Sequence, residues 1–194
     1  MTPAPPTPDK SAARAPSPWL VLGAALVGIS FAAPLIRLSA ADPLVIATWR
    51  LGFSLIIVAA ALLLGGGWRR WRSLSGVELG LACGAGALLA LHFWSWNASL
   101  RYTTVAASVA LVNLQPVIIA AASAWLLAEP PSRRQWLGVG VAVVGALVVG
   151  LADVPGGVSG LLAALSPGGS ASGSRALLGD LLALVGAVTA AGYY

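Results

Sequence analysis

The stretch PLVIATWRLGFSLIIVAAALLL, from Pro43 to Leu64, carries one charge, Arg50, in an otherwise apolar run. As a helix it measures about 33 Å, enough to cross the roughly 30 Å hydrocarbon core of a bilayer. Gly65, Gly66 and Gly67 close it, and Arg69, Arg70 and Arg72 follow at once. An apolar span ending in glycines and then arginines is the signature of a membrane crossing. Outward from it the pattern recurs. Further spans are expected at Trp19–Leu38, Val77–Ser99, Thr104–Leu127 and Trp136–Ala152, and a sixth begins at Asp180. From Asp180 to Tyr194 a helix covers only about 22 Å. The reading is therefore an all-α polytopic membrane protein with five complete helices and a truncated sixth, the first half of a larger molecule.

Composition agrees. Hydrophobic residues make up 58% of the chain and charged residues 9%, more apolar surface than a soluble domain of this size can hide. The single cysteine, Cys83, excludes an internal disulfide framework and a cysteine-rich metal site. The net charge of +5 sits in short clusters between apolar runs, a placement that membrane topology explains and that does not call for nucleic acid. Trp19–Leu38 is longer than the apolar core of a signal peptide, although Ser39, Ala40 and Ala41 resemble a cleavage site, so it reads as a retained helix.

Residues 1–18, rich in Pro, Ala, Ser and Thr, read as a disordered tail. Lys10, Arg14, Arg69, Arg70, Arg72, Arg133 and Arg134 all fall on one side of the expected spans, which the positive-inside rule makes cytoplasmic. Arg101, Arg175 and Arg37 lie at or near the other side. Trp19, Trp68, Trp71, Trp125 and Trp136 near one interface, and Trp94 and Trp96 near the other, give the same topology. The N-terminus is then cytoplasmic, in a multi-pass protein of the cytoplasmic membrane. Residues 153–178, rich in Gly, Ser and Pro, read as a flexible external linker with a short interfacial turn around Val158–Leu165. Five spans before the linker leave any similar unit after it upside down, the inverted-repeat plan of many secondary transporters.

From Asn97 onward, Asn97-Ala-Ser-Leu-Arg-Tyr-Thr-Thr-Val-Ala-Ala-Ser108 leads into Leu114-Gln-Pro-Val117, then Leu126-Leu-Ala-Glu-Pro130 and Gln135-Trp-Leu-Gly138. Together with Trp49-Arg50 in the second span and Gly179-Asp-Leu-Leu-Ala-Leu184, this order of motifs resembles the EamA-type repeat of the drug/metabolite transporter superfamily. One departure is Ala128, where that family often has glycine; alanine is expected to be tolerated. The resemblance implies a ten-helix fold of two inverted five-helix repeats, the first at 19–152 and the second opening at 179–194. It also implies transport of small metabolites such as amino acids and their derivatives through a central cavity that alternates its access.

Polar groups at membrane depth are functional suspects. Arg50 lies about 10 Å into its span, where it either lines the cavity and pairs with a substrate carboxylate or snorkels outward to tether helix ends. His92 shares a helix face with Ser95, Trp96 and Ser99, as a cavity wall and proton carrier or as an interhelical contact. In the fourth span Ser108, Asn113 and Gln115 are substrate-binding candidates. Asn113 and Gln115, two residues apart on one helix, point to opposite faces, so one is expected to meet substrate and the other a neighbouring helix. Pro34 and Pro116 are candidate helix breaks, freeing the carbonyls of Ser30 and Val112, with a simple kink the expected outcome. Gly80 with Gly84, and Gly138, Gly145 and Gly150, are read as close-packing positions, and Glu129 as an ion-pair partner of Arg133 and Arg134.

No nucleophile–base constellation, metalloprotease motif or phosphate-binding loop appears, which argues against an enzyme, a resident cofactor or metal, and an ATP-driven pump. The five spans are read as lacking an acidic residue, unlike a small multidrug-resistance exporter with its membrane glutamate, so proton coupling through this half would have to use His92 or something unconventional. The reading is a secondary transporter that exports amino-acid-like metabolites. The alternative is a non-transporting scaffold, or a half-transporter active only as an antiparallel homodimer.

Overall fold

The structure, a computed structural model, describes residues 17–126, 128, 131–166 and 171–194, with the backbone alone at 70–72, 164–165 and 171–172. The described residues form eight α-helices and no strand: α1 Pro18–Ser39, α2 Pro43–Leu64, α3 Gly76–Ser99, α4 Val105–Val112, α5 Gln115–Leu126, α6 Arg133–Asp153, α7 Gly157–Leu165 and α8 Ala171–Gly192. A 3-10 turn, Gly67–Ser73, joins α2 to α3. Counting α4 and α5 as one crossing, six segments are long and apolar enough to span a membrane. The chain divides into two units after Ala32; the first holds the front of α1 and the second everything from Ala33.

Local chemistry sets the helix starts. Asp42 caps α2, its carboxylate accepting from the Leu44 N–H at 2.9 Å, with Pro43 at the first helical position, where its missing N–H costs nothing. Ser75 and Glu78 close a reciprocal capping box on α3, and Ser132 and Gln135 do the same on α6. Thr104 caps α4 through the Ala107 N–H. Such caps matter in a bilayer, where an unpaired backbone donor finds no water.

Three expectations require correction. The sixth helix begins at Ala171 instead of Asp180, and its segment Gly173–Gly192 is itself long enough to cross a membrane. Composition misled here: Ser-Gly-Ser reads as linker, yet Gly173, Ala176 and Gly179 are buried, and packing overrides propensity. Asp180 therefore lies within α8 and not at its start. Secondly, Pro116 does more than kink the fourth span, which divides at Asn113 and Leu114 into α4 and α5. Pro116 has no N–H for the Val112 carbonyl, and the Leu114 carbonyl instead receives the N–H groups of Val117 and Ile118 at 2.9 and 3.2 Å. Pro34, by contrast, does not break its helix, which runs through it to Ser39. Thirdly, a Cβ added at Gly80, Gly84, Gly138 or Gly145 would meet nothing within 4 Å, so these are open positions among the described residues. The ion pair expected of Glu129 lies outside the described residues.

The centre of the second unit is α8. Ala183, Ala187 and Ala190 are fully buried, and α8 packs most extensively on α3, then on α4, α5 and α7. Leu111 of α4, Ala146 of α6 and Ala183 of α8 form the core cluster. Elsewhere large apolar side chains such as Phe53, Ile56, Leu81 and Val141 face outward, the inside-out pattern expected when the surrounding solvent is hydrocarbon.

Candidate functional site

The polar face of α3 meets α8. His92 Nδ1 lies 2.8 Å from the Gly186 carbonyl oxygen. Because a carbonyl only accepts, Nδ1 carries the proton and Nε2 of the neutral ring is left as an acceptor. The same carbonyl accepts from the Thr189 hydroxyl at 3.2 Å. Glycine at 186 allows this approach: an added Cβ would sit 3.3 Å from Ser95 Oγ, 3.4 Å from Val112 and 3.6 Å from Trp96. Ser95, fully buried, returns its hydroxyl to the His92 carbonyl at 3.1 Å. His92 thus serves as an interhelical contact, with one ring nitrogen uncommitted among the described residues.

Arg50 approaches the same face from α2. Its guanidinium carbon lies 4.5 Å from the Phe93 ring centre and 5.4 Å from that of Trp96, over the electron-rich ring faces that attract a cation. The Trp96 ring lies nearly parallel to the His92 ring, with centres 6.4 Å apart. Arg50 is half-buried, and among the described residues no carboxylate or carbonyl faces its guanidinium. The Trp96 indole N–H is buried and also lacks an acceptor among the described residues. Two strong donors without acceptors therefore meet between α2 and α3. Aromatic faces stabilise the cation but leave its N–H groups unspent, so an incoming anion would find them ready.

The other candidates fall elsewhere. Ser108 is fully buried with its hydroxyl 2.6 Å from that of Ser99, which donates to the Trp96 carbonyl or to Ser108; this bond ties α4 to the end of α3. Asn113 turns back on its own helix, donating to the Val109 carbonyl at 2.8 Å, and is exposed. Gln115 opens α5 and is half-buried. The opposite-face argument for this pair assumed one continuous helix, and the break between them removes that assumption. Arg50, His92 and Trp96 are brought together; Ser108, Asn113 and Gln115 do not join them.

The end of the bundle nearest this site is closed by a polar junction. Thr103 Oγ1 is in hydrogen-bond contact with Asp153 Oδ2 and lies 2.7 Å from Asp180 Oδ1, and the Thr104 N–H donates to Asp153 at 3.1 Å. Arg37 donates from Nη1 to the carbonyls of Leu100 and Thr103, at 2.9 and 2.6 Å. Gly179 allows the Thr103 loop to lie against α8, since an added Cβ would come within 2.7 Å of Thr103 Cβ and N. A side chain there would push the loop off.

The family model for EamA-like transporters matches residues 16–151, more than half of the chain. The chain belongs to the EamA-like transporter family. It is a multi-pass membrane protein of a family whose members carry small molecules and are not enzymes. No curated protein and no solved structure matches it. Within this EamA-like chain, sequence reasoning missed the Thr103–Asp153–Asp180 junction. Asp153 and Asp180 each stood next to an expected span end, and nothing local in the sequence joins them across Thr103.

Proposed function

We propose that this EamA-like chain belongs to a secondary transporter that exports small, carboxylate-bearing metabolites of amino-acid-like type across the cytoplasmic membrane by alternating access. Residues 19–152 form its first five-helix repeat, the segment holding α7 connects outward, and α8, from Ala171, opens an inverted second repeat. The observation that carries this reading is Arg50, a half-buried cation about two turns into α2, seated on Phe93 and Trp96 with no anion opposite it among the described residues. A charge at that depth is costly, and a substrate carboxylate would supply the missing partner. The divided α4–α5 crossing supports the same reading, because transporter sites are often built around broken helices. So does the seating of Gly186 on His92, which brings the helix after the connector to the wall that holds Arg50.

The test compares a substrate with its uncharged amide. Cells expressing the full reading frame are loaded with labelled amino acids and with the matching amino-acid amides, and efflux is followed. Preferential efflux of the carboxylate is expected. Equal efflux of both forms would remove Arg50 as a carboxylate anchor.

A further inference from the structure

The 3-10 turn between α2 and α3, Gly67–Ser73, reads Gly-Trp-Arg-Arg-Trp-Arg-Ser. Two glycines aim it. Gly66 adopts φ +68, a left-handed conformation that glycine takes without strain, and a Cβ on Gly67 would meet Leu62 Cδ2 at 3.0 Å. The chain therefore turns sharply at the end of α2 and lies against its last turn. With α2 and α3 both membrane-length, this segment stands at the bilayer boundary.

In a 3-10 helix residues three apart eclipse one another. Positions 68 and 71, both tryptophan, fall on one edge, and positions 69 and 72, both arginine, on the next. Arg70 takes the third edge. Tryptophan belongs at headgroup depth, so the register of the turn suits a segment held at that level, with arginine positions on the neighbouring edges. The sequence holds no acidic residue between Asp42 and Glu78. Glu78 is committed to its cap, accepting from the Ser75 N–H at 2.7 Å and the Ser75 hydroxyl at 2.8 Å. Arg69 is exposed, with its guanidinium carbon 5.9 Å from the Trp68 ring centre.

We infer that the Gly67–Ser73 turn is a docking site for the headgroup of an anionic phospholipid, with Arg69, Arg70 and Arg72 as the charge that selects it and Trp68 and Trp71 as the depth anchors. A zwitterionic headgroup brings its own ammonium and leaves the arginines uncompensated; a phosphatidylglycerol headgroup neutralises them. Each basic residue near an anionic surface contributes about five-fold in affinity, so the three together contribute roughly 100-fold.

The test is the thermal midpoint of the full chain in neutral detergent, titrated with phosphatidylglycerol or phosphatidylcholine. Phosphatidylglycerol is expected to raise the midpoint and phosphatidylcholine to leave it unchanged, with the rise weakened in 0.5 M salt. The variant R69Q/R70Q/R72Q should need roughly 100-fold more phosphatidylglycerol for half the rise. Should that variant fold poorly, R69Q alone carries the test, with a weakening of about five-fold. Equal responses to the two lipids would overturn the inference. An unchanged response in the variants would overturn it too, moving the site to the arginines at the start of α6. An equal rise from inorganic phosphate without anionic lipid would also overturn it, by showing a soluble-anion site.

Discussion

Replacing Gly179 by alanine should cost far more than helix propensity suggests. In an open helical position alanine is favoured over glycine by up to about 1 kcal/mol. At 179 the new Cβ would stand 2.7 Å from both the Thr103 Cβ and the Thr103 backbone nitrogen, and neither atom can swing away as a side-chain tip could. Either α8 or the loop after α3 must move. Overpacking of this kind costs about 1–3 kcal/mol. Displacing Thr103 also weakens the contact of its single hydroxyl proton with Asp153 and Asp180, worth about 1 kcal/mol in all. With the alanine propensity gain subtracted, the net loss is about 1–3 kcal/mol, or a midpoint lowered by roughly 2–12 °C on the scale of soluble domains of this size. Gly145→Ala is the matched control, since its Cβ meets nothing within 4 Å. Thermal unfolding of both variants in the same detergent is the assay, with Gly145→Ala expected to melt at or above the parent. If Gly179→Ala melts with the parent, α8 does not dock on the Thr103 loop as described.

Ala128 adopts φ +54, a left-handed conformation that an L residue with a Cβ disfavours. Ala128→Gly should raise stability by about 0.5–1 kcal/mol, read as a higher melting midpoint, which also gives a physical reason for the family's glycine there. Ser108→Ala should lower stability by about 1 kcal/mol by removing the 2.6 Å contact with Ser99. The double variant with Ser99→Ala should cost less than the sum of the two singles, a coupling that a double-mutant cycle in denaturant or heat would measure. Thr103→Val should lower the midpoint by about 1–3 kcal/mol equivalent, because it leaves Asp153 and Asp180 without their shared hydroxyl.

The spans were legible because hydropathy over a membrane-length window is a local property. Pro43–Leu64 starts and stops where the structure places α2. The start of α8 was not legible. Ser172, Gly173 and Ser174 have linker composition, and only the burial of Ala176 and Gly179 against other elements makes that segment helical. The two prolines show the same limit. Pro34 and Pro116 each withhold one N–H, yet α1 continues through the first while the fourth span divides before the second. At the site, the depth of Arg50 followed from counting residues. Its seat on Phe93 and Trp96, and the link from His92 to Gly186, depend on how α2, α3 and α8 pack, which no spacing within one helix encodes. Ser108 was singled out as a substrate-binding candidate; in the structure its hydroxyl meets that of Ser99, a partner on another helix that the spacing within its own helix does not encode.

The central claim is that Arg50 anchors the transported anion, and the most direct measurement is efflux of a labelled amino acid from cells carrying the parent, Arg50→Ala or Arg50→Lys, at matched membrane abundance. Loss of transport in Arg50→Ala, with partial retention in Arg50→Lys, where charge persists but the planar fork is gone, is the predicted result. Parental efflux from Arg50→Ala at parental abundance would contradict it.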